Sequence, residues 1–404
     1  MLTSTDSSLI ERKFAVFCFF FLFPGFFFYN YSVAKGYMPA FLGGYFSVVA
    51  IASATHFIIL GGWRAFLSLN PVTIAFFVIL FLSLLISGFS YFFGVPLGYS
   101  NEMLRWSIVG VMLNFSLFLL GYFIPLERKW IYFSLLFVMF LIVVSNVGHS
   151  GIFDLRRVAQ VEVIDSVSSY QGIGRSILVV SIFSLAITFG KSSLFYPSVF
   201  FSLVALFLNG ARTEFLLYVF AVIFIHGFYI IKDSRVFLRV LFLIFVGFLS
   251  ILAFSELVPV SRMFQLADVF SSSSVQERGR QFVFSINEVF GSIEGGVLGS
   301  YGAYTSLGGV GHYPHNIFSA WVNLGFLGFL LYILVLFVMW ISVFGLYREM
   351  SESSLYKAFV CFLVCITIAL IFSKDYSYIL VGLTVGLHAQ LRALKANKER
   401  ASYL

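Results

Sequence analysis

The sequence predicts an all-α polytopic membrane protein, and three observations predict it. Of the 404 residues, 60% are hydrophobic and only 11% charged, and the mean hydropathy is +0.99. Apolar runs long enough to span a bilayer recur along the whole chain. Lys and Arg gather in alternate connections between those runs. A soluble domain of this composition could not cover its surface with charge. The 54 phenylalanines suit a large lipid-facing area.

A spanning helix needs about 20 apolar residues. On that basis we expect about twelve spans in one transmembrane domain covering 1–404. They centre near 14–31, 39–61, 71–93, 104–124, 130–147, 174–190, 195–211, 214–231, 236–254, 317–345, 357–373 and 376–391. Lys374 and Asp375 split the last two, and the final one is short. Near the N-terminus, Arg12 and Lys13 precede FAVFCFFFLFPGFFFYNYS, which has the form of a long signal-peptide core. No small-residue cleavage site follows and more spans come after it, so a retained first helix is expected. Cys18, Cys361 and Cys365 all lie inside apolar runs and read as small core residues, not as a disulfide framework or a metal site.

The basic residues set the orientation. With both termini in the cytoplasm, the inner connections hold Arg12, Lys13, Arg64, Arg128, Lys129, Lys191, Lys232, Arg235, Arg239, Arg348 and Lys357, and the tail adds Arg392, Lys395, Lys398 and Arg400. The net charge of +7 is then mostly a topology signal and not a nucleic-acid footprint; the bilayer is the expected partner. Two outer segments are long, 148–174 and 255–316, and long connections in a compact protein usually carry function. The chain lacks GxxxxGK[ST], GxGxxG before a helix, HExxH and GxSxG. With no energy-coupling module and its polar features facing outward, the chain suits a substrate energised elsewhere, such as a lipid-linked donor.

Four outer features stand out. Arg212, in LNGARTEFLLYVF, falls in a short turn between spans. A helix-end arginine can simply snorkel, but positive charge is disfavoured in an outer loop and Thr213 and Glu214 sit beside it, which favours a functional site. Arg278 and Arg280, in SVQERGRQFVFSINEVF, start an amphipathic surface helix whose face runs through Phe282, Ile286 and Phe290. Guanidinium forks suit diphosphate; pairing of either arginine with Glu277 is the simpler alternative. GSIEGGVLGSYGAYTSLGGVGHY is too glycine-rich for a regular helix and could wrap a substrate or be only an irregular loop. Last, HYPHNIFSAWVNLGFLGFLLYI opens on His312, Pro314, His315 and Asn316 before a long apolar run. Neutral imidazole, with a reference pKa of about 6.5, can accept a proton at such a helix entrance. Asn316 reads as the helix cap. A two-histidine metal site of His312 with His315 has no carboxylate partner nearby in sequence. His56, His149, His226 and His388 are isolated and read as structural.

The order GARTEFLLYVF, QERGRQFVFSINEVF, GGVLGSYGAY and PHNIFSAWVNLGFLGFLLYI resembles the O-antigen polymerase and O-antigen ligase superfamily, over about residues 205–345. Gly325 and Gly328 match its Gly-x-x-Gly. The resemblance implies a GT-C-like, metal-independent glycosyltransferase of the bacterial inner membrane, with 255–316 as a large periplasmic loop carrying a surface helix. Its donor would be an undecaprenyl-diphosphate-linked glycan for O-antigen or a related surface polysaccharide, with no cofactor and with a chain-length regulator as a candidate partner. By motif, Arg212 matches the helix-opening arginine and Arg278 the loop arginine, with Arg280 as the fallback; both would hold diphosphate. His315 matches the histidine that activates the acceptor hydroxyl, with Asn316 and His312 in support. A polymerase is expected ahead of a ligase that transfers glycan to lipid A-core. A transporter or flippase would place charges near the midplane of its spans, and a peptidoglycan-type polymerase would carry a dominant acidic outer motif; neither is seen.

Overall fold

The computed structural model describes residues 4–40, 44–59, 70–93, 101–147, 152–159, 167, 170–190, 193–229, 273–284 and 315–402, and every regular element among them is helical. In chain order these are α1 (Ser4–Phe20), a π-helical turn (Phe21–Gly25), α2 (Phe26–Ala34), α3 (Tyr45–Phe57), α4 (Pro71–Phe93), α5 (Asn101–Phe123), α6 (Lys129–Ser145) and α7 (Leu155–Val158). They continue with α8 (Tyr170–Thr188), α9 (Phe195–Leu208), α10 (Arg212–Tyr229), α11 (Ser273–Phe284), α12 (Ser319–Met350), α13 (Ser354–Phe372) and α14 (Leu380–Ser402).

Among the described residues, six segments are long and apolar enough to cross a membrane: Ile10–Ala34, Pro71–Phe93, Leu104–Phe123, Tyr170–Thr188, Ser319–Met350 and Ser354–Phe372. The shorter helices α3, α6 and α9 are apolar as well. The chain is thus a helical membrane protein, although the described helices supply fewer full-length spans than the twelve expected. The expected span 236–254 lies outside the described residues, as does most of 255–316. The expected span 376–391 becomes a helix only from Leu380.

The helices sort by burial. α8 and α13 are enclosed over most of their length, whereas only 33% of the apolar window of α4 is buried. Outward-facing Phe81 and Phe92 on α4 and Phe337 and Phe344 on α12 form apolar surface that only lipid or another protein can cover. α8 packs on α6, α9, α10 and α13 and so sits at the centre of the bundle.

α14 is weakly apolar as a whole, yet every residue from Leu380 to Leu391 is buried. Glycine explains how. A Cβ at Gly382 would fall on the Asn114 carbonyl, one at Gly386 on the Phe118 carbonyl, and one at Gly121 on the Leu383 carbonyl. The backbones of α5 and α14 therefore touch, which is how small residues drive helix association in lipid.

At the N-terminus, Pro24 cannot donate to the helical ladder, and the chain answers with a π turn across Phe21–Gly25. Phe19, Phe23 and Phe27 stay fully buried through it. Phe19 packs on Tyr132 of α6 and Phe183 of α8, with ring centroids 5.2 and 5.3 Å away. The three cysteines are buried and free. The Cys365 thiol donates to the Leu217 carbonyl at 3.4 Å, which joins α13 to α10. His226 and His388 are also buried in the helical packing.

Candidate functional site

The connection between α13 and α14, residues 373–379, is the structural centre of the site. α13 ends where Ser373 N and Lys374 N both donate to the Ala369 carbonyl at 2.8 Å, so its last turn closes without leaving those groups orphaned. The chain then runs across the helix ends and is fastened at each step. Tyr376 N donates to Ser319 Oγ on α12 at 2.7 Å, and the Tyr376 carbonyl accepts from the Tyr332 hydroxyl at 3.0 Å. The Tyr376 hydroxyl lies 2.8 Å from Ser83 Oγ on α4. Asn114 on α5 donates from Nδ2 to the Ser377 carbonyl at 2.9 Å and accepts at Oδ1 from Gly382 N at 3.0 Å. The Ser377 hydroxyl donates to Asp375 Oδ1 at 2.9 Å.

On its other side the connection meets charge. Lys374 Nζ lies 3.1 Å from Glu214 Oε1 in the first turn of α10, with side-chain exposures of 14% and 1%. Tyr378 is buried, and two cations lie against its ring: Lys374 Nζ at 5.8 Å and Arg175 Cζ at 5.7 Å from the centroid. Burial pushes the Tyr378 phenol well above its usual range, the Glu214 carboxylate adds to this, and Arg175 opposes it. The phenol therefore stays protonated and can donate a hydrogen bond.

Arg175 reaches this corner because α8 starts against the α9–α10 turn. Gly174 has no room for a side chain, since a Cβ there would lie 2.8 Å from Asn209 Nδ2 and closer still to Ala211. Asn209 Nδ2 donates to the Tyr170 carbonyl at 2.8 Å and fixes the same junction. Gly210 turns the chain at φ 69° so that α10 can begin. Arg212 opens α10, is half-buried, and makes no ion pair or side-chain hydrogen bond among the described residues.

His315 and Asn316 lie at the entrance to α12. His315 is half-buried. Asn316 Oδ1 accepts from Phe318 N at 3.0 Å, and the Asn316 carbonyl accepts from Ser319 N at 3.0 Å. The side chain thus supports the turn that leads into the helix, as asparagine does at helix starts. Six residues into α12 the backbone breaks at Gly325, with φ 74° and ψ 176°. That conformation is essentially restricted to glycine. It separates the polar leading turn from the long apolar remainder.

The expected residues are placed as follows. Arg212 stands two residues before Glu214 at the start of α10, and the turn that carries His315 and Asn316 is linked to the 373–379 connection through Ser319. α11, the expected surface helix, docks by Phe282 on Phe318, ring centroids 5.5 Å apart. On α11, Arg280 is exposed and paired with Glu277 at 2.9 Å, the simpler alternative foreseen for it. His312 and the side chain of Arg278 lie outside the described residues. Sequence reasoning missed Arg175, Lys374 and Tyr378 as site members. Their signal was present: Lys374 falls in a connection taken to be outer and Arg175 at the outer head of a span, where positive charge is disfavoured, which was the argument made for Arg212. The chain matches no protein-family model, no curated protein and no solved structure.

Proposed function

We propose that this chain is a membrane glycosyltransferase of the O-antigen polymerase type. It would join undecaprenyl-diphosphate-linked oligosaccharide repeats at the outer face of a bacterial inner membrane. The observation that carries the reading is the shared connection at residues 373–379. Through Ser319 it holds the His315–Asn316 turn, and through Lys374 it holds the corner where Arg212 opens α10. A turn bearing a base and a corner bearing cations, both fastened to one connection, suit transfer from a diphosphate donor.

The chemistry follows from these side chains. The acceptor hydroxyl attacks the anomeric carbon of the donor glycan and its proton passes to the His315 imidazole, a positioned base. The bond from the anomeric carbon to the diphosphate oxygen breaks, and undecaprenyl diphosphate leaves with the electron pair. Arg212, with Arg278 or Arg280 from α11, neutralises the charge that develops on the leaving group. Asn316 holds the turn that carries the base.

The test is transfer of a purified lipid-linked repeat by the full chain in liposomes. His315→Gln keeps hydrogen bonding but cannot take the proton at neutral pH, so transfer falls by about 10²–10⁴-fold. Arg212→Lys keeps the charge, loses the forked geometry and loses most activity while inserting normally. Near-parental transfer by His315→Gln rejects the base. A polysaccharide ladder that survives deletion of the gene, with glycan missing only from the lipid core, points to a ligase instead.

A further inference from the structure

We propose that Arg175 and Lys374 bind phosphoryl oxygens in an anion site at the junction of α8, α10 and the 373–379 connection. The Tyr378 hydroxyl serves as a neutral donor there, and Glu214 is the positioning residue for Lys374. This rests on the reading above that the substrate carries a diphosphate, and it adds residues from two elements that the sequence motifs do not reach.

The corner holds two cations, Arg175 and Lys374, over the Tyr378 ring, with the Glu214 carboxylate against Lys374. Glu214 is committed to Lys374, and Asp375 accepts from Ser377. The Glu214 pair accounts for Lys374 and leaves Arg175 with no ion pair among the described residues. Arg175 Nε is fully buried with no hydrogen-bond partner among the described residues, and so is the hydroxyl of Tyr378, a residue only 4% exposed. Two orphaned buried donors against one aromatic ring are costly to maintain unless something accepts from them. The guanidinium Nε–H can only donate and the phenol can donate, so one acceptor would satisfy both. The unpaired positive charge beside them makes it an anion, and planar guanidinium favours phosphoryl oxygens.

Glu214 fixes Lys374 without removing it from the site. A lysine ammonium has three donors, and the carboxylate at 3.1 Å engages one side of it. The Tyr378 ring supports both cations from below by cation–π attraction.

The experiment uses the full chain in nanodiscs and follows binding of farnesyl diphosphate, with farnesyl monophosphate and farnesol as comparators, by calorimetry. The parent is expected to prefer the diphosphate. Arg175→Gln weakens diphosphate binding by about 10- to 100-fold, as loss of a charge-assisted contact should, and Arg175→Lys recovers part of it. The double variant Glu214→Gln/Lys374→Gln leaves net charge unchanged and no lone buried ion, yet weakens binding at least about tenfold. Parental affinity in Arg175→Gln and in the double variant overturns the site, as does a parent that binds farnesol as tightly as the diphosphate. Diphosphate binding that depends on Arg175 and Lys374, in a chain that transfers no glycan, upholds the site and rejects the transferase. Glycan transfer with diphosphate binding unchanged in both variants rejects the site and keeps the transferase.

Discussion

Glu214 and Lys374 are taken almost wholly out of water, and each is tolerable there only because of the other. Removing one partner of such a pair leaves an uncompensated buried charge and costs about 3–5 kcal/mol. Glu214→Gln should therefore lower the thermal unfolding midpoint in detergent sharply, and adding Lys374→Gln should recover most of the loss. A single variant as stable as the parent would mean that the ammonium finds water at this position. At this scale the sequence was informative one residue at a time. Arg212 and its neighbour Glu214 stood out because charge in a short outer turn is unusual. Their counterparts did not, because Lys374 read as a break between two spans and Arg175 as a charge at the head of another. Pairing between positions this far apart is a property of the packed bundle, and one chain read alone carries no record of it. The Gly325 break is the opposite case: the glycine pair was visible, and the structure supplies the reason, a backbone angle that other residues cannot hold.

Helix pairs divide into those held by side chains and those held by backbone contact. α5 and α14 are of the second kind. Gly386→Ala forces a methyl group onto the Phe118 carbonyl, and overpacking of this sort costs about 1–3 kcal/mol. The same change at Gly227, whose added Cβ would meet open space, should be neutral or stabilise α10 by about 0.5–1 kcal/mol. Comparing unfolding of the two variants checks this; equal stability would mean that α14 can move away from α5 without loss. From sequence, LVGLTVGLHAQL gave a short and insecure span. Hydropathy scores transfer into lipid, and this helix is instead enclosed by protein. The spacing of Gly382 and Gly386, one turn apart, was the legible sign of close packing.

Taken whole, the bundle has two polar ends. One carries Arg175, Arg212, Lys374 and His315; the other carries Arg348, Glu349 and the α14 tail, where Lys395 pairs with Glu349. If the loop charges set orientation, the first end faces outward. In a chain whose three buried cysteines are replaced, Gln171→Cys at the head of α8 should react with a membrane-impermeant maleimide in intact spheroplasts. Asn397→Cys in the tail should react only after permeabilisation. The reverse pattern would place the cation cluster in the cytoplasm and remove the proposed transferase. The helical class was legible from composition because too little charge leaves no soluble alternative. The number of full-length spans was not, because apolar content does not distinguish a helix facing lipid from a short one enclosed by its neighbours.

The 32 residues of α12 have a consequence for the membrane itself. At 1.5 Å per residue the roughly 25 residues of α12 beyond the Gly325 break rise about 37 Å, whereas the 14 residues of α9 reach only about 21 Å. A hydrocarbon core of about 30 Å matches neither. The charged last turn at Arg348 and Glu349 absorbs part of the excess on one flank. On the other, where Phe200 of α9 faces outward, lipid must thin to meet a short wall. A bilayer that meets both walls would be of uneven depth, and each unmatched ångström would add a small elastic cost that varies with the thickness of the host membrane.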